Sequence, residues 1–121
     1  MLLNKTSLTV PQKIRRLLKK YNVGVFFVRN SKFQYLLKKQ FKESCLSSKT
    51  IAVALPPFRM IIINSELVLR LNFTQKELNY MYLHEFAHAG KWYLTEKEAH
   101  KCALRFSRYY KIPINYLNYN V

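Results

Sequence analysis

The sequence contains no aspartate, and its six glutamates stand against 21 lysines and arginines, a formal net charge of +15. Residues 1–42 include eleven of these cations and no acid, whereas four of the six glutamates lie between residues 77 and 98. A charge distribution of this kind attracts polyanions. It predicts either general solubility or contact with nucleic acid through residues 1–42, directly or by way of a nucleic-acid-bound partner.

Cysteine is also scarce, and long apolar runs are absent. Cys45 and Cys102 show no metal or redox spacing, which favours a reducing, cytoplasmic environment over a disulfide scaffold. No apolar run approaches 18 residues, so we expect no membrane span. The first residues lack the apolar segment of a signal peptide, so secretion is not expected.

The length of 121 residues and the apolar content of 50% predict one folded domain and exclude a disordered chain. Within residues 1–121 we distinguish a basic helical part (1–45), a site region (50–110) and a tail rich in tyrosine and asparagine (111–121). Only two glycines occur, and each follows a predicted helix: Gly24 after the first and Gly90 after the central one.

Hydrophobic spacing predicts an α+β fold with a small antiparallel or mixed sheet packed against helices. The first helix is expected to be capped by Thr9 with Pro11 in its first turn, and a second helix by Ser31, with Phe41 on its inner face. The other expected elements are a buried strand at 25–28, a polar loop at 44–50, an antiparallel hairpin of strands 51–55 and 59–63, a helical turn at 66–71, and helices at 75–89 and 96–110.

The stretch from Leu83 to His88 carries the pattern H-E-x-x-H. Residues four apart on a helix share one face, so His84 and His88 can bind one metal ion while Glu85 acts beside it as a general base. Zinc suits this arrangement because imidazole nitrogens bind it and a catalytic site leaves one position for water, whose pKa the ion lowers.

A capping-box pattern, Thr74 to Glu77, begins this central helix, and its apolar composition predicts burial. Glu85 is the only formal charge between Glu77 and Lys91, and a buried carboxylate is costly unless it is paired, protonated or close to a metal. The alternative interpretation makes His84 and His88 ordinary core histidines, with Glu85 facing water.

A second capping box, Thr95 to Glu98, begins the next helix and leaves Glu96 as the expected third ligand. Ala99 and Ala103 share its face, and small residues there allow close approach to the central helix. Two alternatives stay open: Glu96 is a surface carboxylate favoured by the helix dipole, or His100 is the third ligand.

Taken together, His84-Glu85-Phe86-Ala87-His88, Glu96-Lys97-Glu98-Ala99 and Cys102-Ala103 resemble the ImmA/IrrE-type metallopeptidases, whose pattern is H-E-x-x-H followed by E-x-E-A-x-x-F-A. Residues 61–64 and the Phe73-Thr74 entry to the central helix are similar to that family as well. The resemblance covers about residues 50–110. It departs at His100, where the family has Asn or Asp, and at Cys102, where it has Phe.

This resemblance implies a zincin-like fold, a zinc site of His84, His88 and Glu96 with Glu85 as the base, and, in mobile elements, cleavage of a helix-turn-helix repressor. We therefore expect a cytoplasmic, regulatory zinc metallopeptidase. Strand 59–63 is expected to hold an extended substrate if it borders the cleft, and Tyr80 and Tyr93 are candidates for stabilising the oxyanion. The alternative is a non-catalytic basic module, an anti-repressor or nucleic-acid-associated protein, that retains the zincin fold.

Overall fold

The computed structural model describes residues 9–40, 50–90 and 95–117, so the expectations for Phe41, for 44–49, for Tyr93 and for 118–121 lie outside the described residues. The described part is α+β, as predicted, with five α-helices and a three-stranded mixed sheet. In chain order, the elements are α1 (Gln12–Lys20), β1 (Gly24–Val28), α2 (Asn30–Gln40), β2 (Ala52–Leu55), a 3₁₀ helix (Pro56–Phe58), β3 (Met60–Asn64), α3 (Ser65–Leu71), α4 (Gln75–Gly90) and α5 (Glu96–Tyr110).

The sheet has the strand order β1-β3-β2. Strands β2 and β3 form the predicted antiparallel hairpin, with Ala52 opposite Ile63, while β1 runs parallel to β3 from the pair Gly24 and Met60. Since β3 lies in the middle, both of its edges are already hydrogen-bonded, so strand 59–63 has no edge to which an extended substrate could add. Among the described strands, β1 and β2 lie at the edges of the sheet.

The turn between β2 and β3 is fixed by Arg59, which follows the 3₁₀ helix in the left-handed conformation, with a φ of 50°. Its guanidinium donates hydrogen bonds to the carbonyl oxygens of Tyr21 and Asn22, at the end of α1. The side chain of Arg59 therefore links the β2–β3 hairpin to the end of the first helix.

Strand β1 is less buried than its apolar sequence predicts. Phe26 is 48% exposed and Phe27 is 37% exposed. The prediction of a buried strand is wrong because, among the described strands, β1 lies at the edge of the sheet and pairs with β3 alone.

Two helix starts also differ from prediction. Pro11, not Thr9, occupies the N-cap position of α1 and offers no side-chain hydrogen bond to the helix. Helix α2 begins at Asn30, one residue before the expected cap Ser31, and the backbone N–H of Asn30 donates to Oε1 of Glu66 at 2.6 Å. A contact from another part of the chain thus stabilises this start, which local patterns do not reveal.

The sheet separates two apolar clusters. Ile61 and Ile63 of β3 face α1 and α4, whereas Ile62 faces Phe33 and Leu37 of α2. Alternate residues of a strand point to opposite faces, so α1 and α2 lie on opposite sides of the sheet. Within the described ranges, no helix combines the length and the apolar character needed to cross a membrane.

Candidate metal centre

Helix α4 is the buried centre of the described structure, as its composition predicts. It begins with the expected capping box: the N–H of Thr74 donates to Oε1 of Glu77 at 2.8 Å, and the N–H of Glu77 donates to Oγ1 of Thr74 at 3.2 Å. Every residue from Leu78 to Ala87 is buried. The helix contacts α1, α5, β2 and β3, so its side chains are held on several sides.

Three side chains from α4 and α5 converge on one point. Nε2 of His84 lies 2.8 Å from Oε1 of Glu96, and Nε2 of His88 lies 3.1 Å from Oε2 of the same carboxylate. One ligand atom from each residue lies within 4.8 Å of the other two, so this group could hold a metal ion. The pairing of the two histidines with Glu96 agrees with the ligand set expected from the sequence.

The start of α5 brings Glu96 to the histidines. Thr95 and Glu98 form a capping box, so the helix begins at Glu96. Ala99 and Ala103 are fully buried, and their small side chains allow α5 to pack closely against α4. The Glu96 side chain remains 65% exposed, so the group opens to solvent on that side.

The electrostatics of His84 favour metal binding. Burial lowers the pKa of His84, an effect that its hydrogen bond to Glu96 partly offsets, and the neutral imidazole is the form that binds a metal. Nε2 of His88 is buried and lies 3.1 Å from Oε2 of Glu96, without a well-aligned hydrogen bond to the described residues. Two imidazoles with one carboxylate form a donor set that fits zinc.

Glu85 is fully buried in α4, next to His84 in the chain. It is the only acidic residue among the buried residues of the described structure. The burial that its position in the sequence predicts is therefore confirmed.

His100 lies beside this group but not within it. Its Nδ1 forms a hydrogen bond of 2.6 Å with the hydroxyl of Tyr80, which in turn lies 3.5 Å from Nδ1 of His84. Burial is the main cause that raises the pKa of Tyr80 to about 12, so the hydroxyl keeps its proton at neutral pH. Tyr80 is thus engaged by two histidine rings, and the structure places Glu96, not His100, against the two H-E-x-x-H imidazoles.

The association of Tyr80 with His100 was not predicted, because the two residues are 20 positions apart. The only sequence signal was the spacing of four between Tyr80 and His84. Tyr116 also packs on this pair, with ring centroids 5.3 Å from Tyr80 and 5.2 Å from His100. The tail segment 112–117 is held near α4 by the amide of Asn79, which donates to the carbonyl oxygen of Pro113.

Comparison of this chain with protein-family models, with curated proteins and with solved structures finds no match.

Proposed function

We propose that this protein is a cytoplasmic zinc metallopeptidase of the ImmA/IrrE type with a zincin-like fold. The observation that carries the proposal is the convergence of His84, His88 and Glu96 from two helices, with the buried Glu85 next to His84 in the H-E-x-x-H pattern. A donor set of two histidines and one carboxylate leaves a coordination position open, which is typical of catalytic rather than structural zinc sites.

Each residue of the group has a distinct role in this proposal. His84, His88 and Glu96 would hold the ion, and the exposed side of Glu96 faces the solvent from which water and substrate would arrive. Zinc, when bound, would supply the Lewis acidity that lowers the pKa of water and polarises a peptide carbonyl. Glu85 would accept the proton of the attacking water and pass it to the leaving amine.

The substrate in this proposal is a protein, such as a DNA-binding repressor, that reaches the two histidines from the exposed side of Glu96. Strand β2 contacts α4, the helix of the two histidines, but Ala52, Val53 and Leu55 are buried, so its edge is not open to a peptide.

The variant Glu85→Gln tests the mechanism. Glutamine keeps the size of the side chain but accepts no proton, so zinc content should stay the same while cleavage falls by about 10²–10⁴-fold. The measurement is mass spectrometry of a complex peptide mixture incubated with the zinc-loaded protein. Glu66→Gln changes an exposed glutamate on α3 whose hydrogen bond from the N–H of Asn30 an amide oxygen can still accept, so this control should cleave like the unmodified chain. Undiminished cleavage by Glu85→Gln would exclude this mechanism.

A second candidate function is a non-catalytic basic module, an anti-repressor or nucleic-acid-associated protein that retains the fold and the metal. The net charge of +15 favours it. If the zinc-loaded protein cleaves no peptide in the mixture while it binds polyanions with a steep dependence on salt, this second function replaces the first.

A further inference from the structure

The basic residues of α1 and α2 do not form one surface. Helices α1 and α2 lie on opposite faces of the sheet, so the cations of α2, such as Lys38 and Lys39, point away from those of α1. The cations of α1 instead have neighbours from the other end of the chain.

Helix α1 packs beside the end of α5. Nζ of Lys13 donates to the carbonyl oxygen of Lys111 at 2.9 Å, and Tyr21 contacts Tyr110. Neither segment contains an acid, since the sequence has no glutamate or aspartate in 1–42 or in 99–121. Nine cations belong to α1 and residues 99–111: Lys13, Arg15, Arg16, Lys19, Lys20, Lys101, Arg105, Arg108 and Lys111.

Two cavities lie along the contact between α1 and α5, and we call them together the α1–α5 groove. The first, of about 320 Å³, is lined by Lys13, Arg16, Leu17, Lys20 and Tyr110. The spacing of Lys13, Arg16 and Lys20 puts all three on one face of α1. The second cavity, of about 380 Å³, includes Tyr21 and Arg105 in its lining.

A chain of aromatic contacts links the linings of the two cavities. Ring centroids are separated by 5.6 Å between Tyr21 and Phe86, by 5.3 Å between Phe86 and Phe106, and by 6.5 Å between Phe106 and Tyr110. Tyr21 lines the second cavity and is 43% exposed. Tyr109 is in neither lining, but it packs against Tyr110 of the first cavity, is 77% exposed and stands one helical turn after Arg105. Two exposed aromatic rings are therefore available to a ligand beside the cations of the groove.

We infer that the α1–α5 groove binds single-stranded nucleic acid. Lys13, Arg16, Lys20 and Arg105 pair with backbone phosphates, and the exposed rings of Tyr109 and Tyr21 stack on bases. A cationic groove with aromatic platforms is the combination that binds unpaired strands, because only an unpaired base offers its face to a ring. Duplex DNA offers phosphates to the cations but no free base faces to the tyrosine rings.

The groove shares no residue with His84, His88, Glu96 or Glu85. Strand binding therefore does not require the proposed peptidase activity. Whether or not the groove binds single strands, the proposal of a zinc site on α4 and α5 is unaffected.

The test measures binding of the full chain to a labelled oligothymidylate of roughly 20 nucleotides by fluorescence anisotropy, between about 50 and 200 mM NaCl. Arg16→Gln/Lys20→Gln should weaken binding and lower the slope of log K against log salt by about 1.4, which is about 0.7 for each lost phosphate contact. Lys38→Gln/Lys39→Gln removes the same charge from exposed sites on α2 and should leave both quantities unchanged. Equal losses in the two double variants would overturn the inference, since net charge alone would then explain binding.

A second pair of variants tests stacking. Tyr109→Ala should weaken oligothymidylate binding at least about fivefold, whereas Tyr35→Ala, at a position 58% exposed on α2, should have no effect. Heparin and a duplex of equal length serve as polyanions without accessible bases. If either binds as tightly as the oligothymidylate, or if Tyr109→Ala binds normally, the groove is not a site for single strands. Circular dichroism of every variant checks that these exposed substitutions preserve the fold.

Discussion

Glu96 is the third member of the candidate metal site, beside the two histidines of the H-E-x-x-H pattern. Its two carboxylate oxygens face two different histidines, one at 2.8 Å and the other at 3.1 Å. Because it stands on α5 while both histidines stand on α4, the site joins two helices. His100, four residues further along α5, is turned to the hydroxyl of Tyr80.

The two rival third ligands therefore have different expected effects when replaced. Glu96→Ala should lower zinc affinity by more than about 100-fold because it removes a ligand, whereas His100→Phe, which removes only an outer contact, should lower it by about 10- to 100-fold at most. Zinc affinity is measured by competition with a chromophoric chelator. A larger loss in His100→Phe than in Glu96→Ala would show that the ligand is misassigned.

Some residues of the candidate site are easier to predict from the sequence than others. The spacing of four brings His84 and His88 together on any helix, and the lone charge of Glu85 in an apolar segment predicts its burial. Glu96 and His100 are also four residues apart and share one face of α5, so the choice between them depends on how far α5 is shifted along its axis against α4. That shift follows from the packing of Ala99 and Ala103, which the pattern indicates but does not fix.

Among the secondary-structure elements, the first turn of α5 matters most for the site, because Glu96 is its first residue. Thr95 accepts a hydrogen bond from the N–H of Glu98 at 3.1 Å, and the carboxylate of Glu98 accepts one from the N–H of Thr95 at 2.9 Å. These two bonds hold the turn in which Glu96 stands. Its position is thus tied to a cap that local sequence encodes.

Removing this cap should therefore affect stability and metal binding together. Thr95→Ala is expected to lower the free energy of unfolding by about 1 kcal/mol and to weaken zinc binding, because the first turn of α5 frays. Urea denaturation and chelator competition measure the two effects. Thr74→Ala removes the equivalent cap of α4, more than two turns before His84, and should cost similar stability with little change in zinc affinity. A cap loss at Thr95 that leaves zinc affinity intact would show that Glu96 does not depend on it.

Local signals predicted most elements well. The capping boxes and the hydrophobic spacing predicted α4 and α5 to within one residue at each end, and the short connection through Pro56-Pro57 predicted the β2–β3 hairpin. The pairing of β1 with β3 joins residues more than 30 positions apart, and no local pattern encodes it. The central place of β3 and the exposure of Phe26 follow from that pairing and were missed for the same reason.

On the scale of the whole molecule, the sheet separates the basic residues of α1 from those of α2. It places α1 and α2 on opposite faces, and α1 meets the acid-free end of α5. The sequence shows the excess of charge but not this sorting, because it depends on the order of the strands and on which face each helix covers.

Metal binding should also stabilise the molecule as a whole. If the two histidines and Glu96 form one site only in the folded chain, zinc at 100 times its dissociation constant should raise the free energy of unfolding by about 2.7 kcal/mol. Urea unfolding with zinc and with a chelator measures this gain. His88→Gln should abolish it, and an equal gain in that variant would mean that zinc acts elsewhere.

The most direct measurement is the zinc content and affinity of the full chain, stripped of metal and then reconstituted. We expect one zinc ion per chain, tightly bound by the unmodified protein and lost from both His84→Gln and His88→Gln. A reconstituted protein without zinc, or variants that bind it as well as the unmodified chain, would contradict a metal centre on α4 and α5.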